Sequence, residues 1–315
     1  MTTPEDQRGI PPALPEDGLY PIRTVAAETG VNPVTLRAWE RRYNLLEPRR
    51  TPKGHRLYTR EQIDTIRRVV ELLDRGIAIS QVKPLLAPGQ GSDAPGESAA
   101  PAPAQDIWGP LVKDLLSAVA AFDDDTLDRL YGEVMSLYPV DTVTSKLTIP
   151  VMEALGARWR AESAGIAEEH FLNAYLRNRL GARFHHLSKD RQGPRLVAAC
   201  LPGEQHETGL LLFCLSAAAR GYGIIYLGAN MPLEELPEVA ERTGAVAVIL
   251  SATARPRPAL LNEQLPDLVQ LLRVPLFVGG RATCRHEKQI VAAGAVSVGT
   301  EIPDAIRMIE ERTPR

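Results

Sequence analysis

The first residues able to act together chemically are Glu204-Gln205-His206-Glu207-Thr208-Gly209, a carboxylate and an imidazole two positions apart in the pattern E-x-H-x-x-G. A neutral imidazole ligates a transition metal through one ring nitrogen. A carboxylate on the other nitrogen fixes the tautomer and raises the ligand's basicity. Further along stand Ser251-Ala252-Thr253 and the pair Gly279-Gly280, a hydroxyl and two positions without side chains, where a flat group can approach the backbone closely. A third set is Trp159 followed, after nine residues, by Glu169-His170. The fourth set is mostly cationic: Thr35, Arg37, Arg41, Arg42 and Tyr43, then Lys53, His55, Arg56 and Tyr58. These are residue types that hold phosphates and read base edges of DNA.

The fourth set needs a helix pair to deliver it. Ile22 to Thr29 suits a short helix closed by Gly30, and Asn32 suits the N-cap of a second helix with Pro33 at its first position. That second helix exposes Thr35, Arg37, Glu40 and Arg41 while Leu36 and Trp39 bury, as a recognition helix for the major groove does. Arg49 to Tyr58 then reads as a two-stranded wing around Pro52-Lys53-Gly54, with Arg56 and Tyr58 on phosphates.

The other sets need a bundle and a sheet. Residues 86–106 are Pro, Gly, Ala and Ser with almost nothing to bury, and read as a linker. Apolar residues at helical spacing fill 107–188, among them Leu111, Leu115, Leu127, Leu130, Val134, Leu147 and Val151, which predicts a four- or five-helix bundle. From Pro194 five short β-prone runs (RLVAACL, GIIYLG, AVAVILS, PLFVGG and AVSVG) alternate with helical segments at 207–220, 233–243, 262–273, 286–293 and 302–312. That alternation predicts a parallel sheet covered on both faces. Ligands of such sheets sit beyond the carboxyl ends of the strands. His206, Ser251 and Gly279-Gly280 all fall on that edge.

Charge divides the chain the same way. Residues 20–84 hold 13 Lys+Arg against 7 Asp+Glu, while the remainder holds 23 against 32, so nucleic acid is expected to meet only the first part. The three cysteines, Cys200, Cys214 and Cys284, lack the spacing of a zinc site and fit a reducing cytosol. Residues 1–18 are polar and proline-rich, read as a disordered terminus without the pattern of a signal peptide. No run approaches the length of a membrane span. The expected location is the cytoplasm.

Two resemblances sharpen these expectations. Thr35 to Tyr43 (TLRAWERRY) with the wing Gly54 to Tyr58 (GHRLY) resembles the MerR family over residues 20–84. That implies a winged helix-turn-helix at 19–85, dimeric on a pseudo-palindromic double-stranded operator. Pro84 and the linker interrupt the long helix through which such proteins usually dimerise. The order Glu204-x-His206-x-x-Gly209, Ser251-x-Thr253, Gly279-Gly280 resembles the cobalamin-binding domain, a flavodoxin-like five-stranded parallel α/β fold, here at 194–315. The resemblance implies that His206 is the lower axial ligand of cobalt, replacing the dimethylbenzimidazole base, and that the displaced base runs into a slot lined by the serine and glycines.

Trp159 with Glu169-His170, beside such a domain, is similar to the helical cap of the light-sensing cobalamin repressors of the CarH and LitR group. This implies that these three residues surround the upper ligand of adenosylcobalamin. It also implies that the dark form oligomerises, as dimer or tetramer, on operator DNA. Light then releases the operator and switches on genes such as those of carotenoid synthesis. Some members carry a histidine directly after the tryptophan as a replacement upper ligand; here that position is Arg160, leaving His185 or His186 as substitutes. The alternative reading keeps the regulator but has it sense a non-adenosyl cobalamin, another chromophore or a protein partner. Cobalamin enzymes need a catalytic barrel of roughly 250 residues, for which no length remains, so an enzyme is not expected.

Overall fold

A computed structural model describes residues 18–86, 106–158, 165–188 and 193–313. The chain divides into two compact units, residues 1–105 and 106–315. The terminus before residue 18 and nearly all of the expected linker lie outside the described residues.

In the first unit, strand β1 (Leu19–Pro21) leads directly into α1 (Ile22–Thr29), which closes at Gly30 with φ 70° and an N–H bond to Ala26. The Asn32 side chain accepts from the amides of Val34 and Thr35 at 2.9 and 3.0 Å and starts α2 (Pro33–Ala38), which runs on into one turn of π-helix at Trp39–Tyr43. The wing strands are β2 (Arg49–Arg50) and β3 (Arg56–Thr59). Thr59 and Gln62 form a reciprocal capping box at the head of α3 (Arg60–Asp74), and α4 (Ile79–Leu85) follows. The sheet has three strands, not the expected two. β1 pairs antiparallel with β3, giving the order β1-β3-β2. Val25, Leu36, Trp39, Tyr58, Ile63, Ile66 and Leu73 form the fully buried core of this unit.

The second unit begins with α5 (Trp108–Ala120) and α6 (Asp124–Leu137). Next, α7 (Val140–Val143) is joined by a π-helical turn at Thr144–Thr148 to α8 (Ile149–Arg158), and α9 (Gly165–Ser188) completes the bundle. The α/β half alternates β4 (Arg195–Cys200), α10 (Thr208–Ala219), β5 (Gly223–Gly228), α11 (Leu236–Thr243), β6 (Ala245–Ser251) and α12 (Leu265–Leu271). It ends with β7 (Leu276–Gly279), α13 (Thr283–Ala292), β8 (Val296–Gly299) and α14 (Ile302–Arg312). All five strands are parallel in the order β5-β4-β6-β7-β8. This is the flavodoxin-like order, in which the chain reverses direction across β4 and β6.

Side chains of β4 alternate between the two cores. Val197 and Ala199 face one, and Leu196, Ala198 and Cys200 face the other. The helix α10, TGLLLFCLSAAA, is apolar and buried all round because it is shared: Leu210, Phe213, Cys214 and Ala217 join the sheet core while α9 and α7 pack on it from the bundle. Bundle and sheet therefore meet across one helix that starts at the end of the His206 loop. Among the described residues no helix is long and apolar enough to cross a membrane.

Candidate cofactor site and nucleic-acid interface

The loop leaving β4 is organised by Glu204, which is 3% exposed. Its Oε1 accepts the amide of His206 at 2.8 Å and lies 2.6 Å from His206 Nδ1. Its Oε2 accepts the amides of Thr253 and Ala254, both at 2.6 Å, from the loop after β6. Burial alone would raise the carboxyl's pKa, but hydrogen bonds from His206, Ala254 and Thr253 outweigh it and hold the group down at about 2. An ionised carboxylate only accepts, so in its neutral form His206 carries its proton on Nδ1 and leaves the Nε2 lone pair without a partner among the described residues. The His206 side chain is half exposed. Its pKa is raised, first by the Glu204 hydrogen bond against the opposing effect of burial, with further help from the charges of Glu204 and Glu169. A half-exposed imidazole with Nδ1 pinned and Nε2 available suits a metal ligand.

The sheet edge is tied together around this loop. Gly203 N–H donates to Asn230 Oδ1 at 2.7 Å, and Asn230 N–H donates to the Glu204 carbonyl at 2.9 Å. Ser251, the last residue of β6, is buried and its carbonyl accepts from Leu201. Thr253 is present at the edge, but its amide is committed to Glu204. Gly280 has φ 96°, and a Cβ there would meet the Ala252 carbonyl oxygen at 2.5 Å; at Gly279 a Cβ would meet Val298 Cγ2 at 3.1 Å. The glycine pair is thus explained locally by close backbone approach, and the space beside Gly280 is filled by Ala252. Gly209 lies in the first turn of α10.

From the bundle, α9 presents two stripes. Leu172, Leu176 and Leu180 are buried, and Glu168, four residues before Leu172, is buried with them. The next stripe faces the α/β half. Asn173 Oδ1 accepts from Thr208 Oγ1 at 3.1 Å, Arg177 lies 3.9 Å from Glu207, and the Phe184 ring packs 6.0 Å from that of Tyr226. Glu169 precedes Asn173 by four residues on this stripe, consistent with its electrostatic effect on His206. His170 is exposed on the neighbouring face. Trp159 and Arg160 lie outside the described residues. His185 and His186 do not fit the substitute role: they lie twelve and thirteen residues beyond Asn173, about 18 Å along the helix axis, away from the His206 loop. Sequence reasoning missed Glu207, whose Oε2 accepts from Tyr226 Oη at 2.7 Å, and Asn173; their partners lie 19 and 35 residues away.

In the first unit Arg37, Arg41, Arg42, Lys53 and His55 are exposed, Tyr43 is half-buried, and Arg56 is partly buried. A groove of about 430 Å³ between the helices and the wing is lined by Arg23, Arg37, Thr51, His55 and Arg56 among others. Two expected contacts are corrected. Thr35 is fully buried, its Oγ1 2.9 Å from Asn32 Nδ2, where it completes the cap instead of facing a groove. Tyr58 is fully buried in the core, where desolvation pushes its pKa up to about 12, and cannot reach a phosphate. Arg50, absent from the expected set, pairs with Glu40 at 2.8 Å.

Comparison with known proteins agrees with this division. Residues 20–87 match the model of the MerR HTH family regulatory proteins, and residues 111–183 match the B12 binding domain. The HTH-type transcriptional repressor CarH of Myxococcus xanthus is 31% identical, over 85% of this chain and 91% of that protein. The repressor CarA of the same organism is 30% identical, over 87% and 91%. Among solved structures, the monomethylamine corrinoid protein of Methanosarcina barkeri superposes with a TM-score of 0.52 at 19% identity, covering 64% of this chain and 98% of that one, a likeness of fold.

Proposed function

The chain belongs to the family of the HTH-type transcriptional repressors CarH and CarA, joining a MerR-type DNA-binding unit to a B12-binding unit, and from that premise we propose that it is a light-responsive repressor using adenosylcobalamin. The observation that carries the cofactor reading is His206, held through Nδ1 by the ionised Glu204 with Nε2 left to ligate at the carboxyl edge of the sheet. Adenosylcobalamin supplies, when bound, a cobalt–carbon bond that visible light breaks.

His206 would ligate the cobalt, with Glu204 orienting the ring and Ser251, Thr253, Gly279, Gly280 and Gly209 contributing to the same sheet edge. Trp159, Glu169 and His170 would contribute to the site from the bundle side. Three consecutive residues connect the two halves. His206 serves the cofactor, Glu207 holds Tyr226 and faces Arg177, and Thr208 holds Asn173. A change in how His206 and Glu169 are engaged is therefore transmitted to the bundle–sheet contact, the element a light signal would bias. In the dark, paired dimers would place several DNA-binding units on one operator, so avidity multiplies a modest single-site affinity. On illumination the assembly would come apart, releasing genes such as those for carotenoid synthesis. The protein acts in the cytoplasm as a regulator and performs no methyl transfer.

Sizing by light scattering, with adenosylcobalamin in the dark and after green light, tests this, with His206→Ala beside the native chain. A dark tetramer that collapses in light and never forms in the variant is the expected result. Cofactor uptake with a size indifferent to light would leave a cobalamin-sensing regulator. Absence of uptake would leave one driven by a protein partner.

A further inference from the structure

The helix that carries Arg37, Arg41 and Arg42 has one acidic residue, Glu40, at a place where only cations help phosphate binding. Glu40 lies in the π-helical turn that extends α2, between Arg37 and Arg41-Arg42. Its side chain is 18% exposed and is spanned by two arginines of the wing. Arg50 Nη2 donates to Oε1 at 2.8 Å, while Arg56 gives Nε to Oε2 and Nη2 to Oε1, the latter at 3.3 Å. Arg50 and Arg56 are themselves direct cross-strand partners in β2 and β3. Two like charges in that register repel and would splay a ribbon whose first strand is two residues long. Glu40 places a negative charge between them and ties the wing to the recognition helix with three hydrogen bonds.

Resting on the reading that this unit binds DNA, we infer that Glu40 is a positioning residue for operator recognition, holding the wing arginines in one geometry so that their remaining donors meet the backbone in register with Arg37 and Arg41. The carboxylate lowers the electrostatic attraction to any duplex and raises discrimination between duplexes. Charge and geometry thus make opposite forecasts for its removal. If only charge mattered, Glu40→Gln would bind every DNA more tightly, because one repulsion is gone. If Glu40 positions the wing, the variant loses specific binding while non-specific binding holds or improves, since oriented contacts fix the register of a protein on its site.

The test uses the full chain. A duplex is first selected from a randomised pool with the native protein, and affinity for it is compared with that for a random-sequence duplex across a series of salt concentrations. For Glu40→Gln we expect at least a tenfold loss on the selected duplex, no loss on the random one, and a salt dependence on the selected duplex that approaches the random-duplex slope. Undiminished or tighter binding of the selected duplex overturns the inference. If Glu40→Gln lacks a cooperative thermal transition, Arg50→Ala, which leaves the Glu40–Arg56 bridge, carries the test. A reduced ratio of selected to random affinity supports the positioning role, and an unchanged ratio overturns it. A native protein that enriches no duplex overturns the DNA-binding reading itself, and this inference with it.

Discussion

Glu204 and His206 stand two residues apart and are bonded twice, backbone amide and Nδ1 to the same carboxylate oxygen, while the other oxygen holds the loop 49 and 50 residues further on. One side chain therefore sets both the tautomer of the candidate ligand and the closure of the sheet edge around it.

Replacing Glu204 by Gln separates those two jobs. The amide oxygen can still accept from Thr253 and Ala254, but the NH₂ group then faces His206 Nδ1 and reverses the ring's proton, leaving Nε2–H unable to ligate. The fold should survive with a loss of about 1–2 kcal/mol, since the His206 amide loses its acceptor. Cobalamin affinity should fall about 10–100-fold, as for lost outer-shell partners of metal ligands. Absorbance titration reads the affinity and the axial ligand together, and Glu204→Gln should resemble His206→Ala. A spectrum identical to the native complex would refute the tautomer argument.

Much of this was legible because it is local. Gly30, Asn32 and Pro33 announce the helix-turn-helix through cap chemistry that depends on a few neighbouring residues. The Glu204–His206 pair is likewise visible at a spacing of two. The misses are long-range. Leu19-Tyr20-Pro21 gives no alternation from which to predict a strand, and it becomes one only because β3 offers an edge 36 to 40 residues away. Helical periodicity places Thr35 near the outer face, yet the Asn32 cap draws its hydroxyl inward. Tyr58 alternates correctly along its strand; which face of a wing is the inner one depends on α2 and α3, which no local pattern specifies.

Tyr58→Phe should be neutral or stabilising. Among the described residues the buried Tyr58 hydroxyl has no hydrogen-bond partner, so removing it relieves a desolvated polar group while the ring keeps its packing. A gain of up to about 1 kcal/mol is expected, with DNA affinity unchanged because the group faces the core. Urea unfolding and DNA titration of the same preparation check both statements. A loss of DNA affinity with stability retained would return Tyr58 to the interface.

Arg220→Ala should loosen the bundle from the sheet. Arg220, at the end of α10, meets Asp141 of α7 at 2.7 Å and Ser216 Oγ at 2.5 Å, and the two charged side chains are only 21% and 18% exposed. Truncation strands Asp141, whose Oδ1 already has no partner among the described residues. The expected cost is about 2 kcal/mol. Asp141→Asn with Arg220→Ala together should recover part of it, because no unpaired charge then remains. Thermal unfolding of the single and double variants measures the difference. Equal melting temperatures for Arg220→Ala and the native chain would show the pair to be idle.

Acid should release the wing from the recognition helix. Burial works to raise the pKa of Glu40, but hydrogen bonds and charges from Arg56 and Arg50 outweigh it and leave the pKa below the ordinary carboxylate value of 4.5. A carboxyl whose folded pKa is depressed contributes stability that is fully present above its unfolded pKa and is lost as pH falls through the folded one. The native chain should therefore exceed Glu40→Gln in stability by about 1 kcal/mol near neutral pH. The margin should hold down to about pH 5 and shrink steadily on further acidification. Urea midpoints of the two proteins across that range give the margin directly, and titrations common to both cancel in the difference. A margin that stays constant into strong acid would mean that Glu40 acts through its shape and not through its charge.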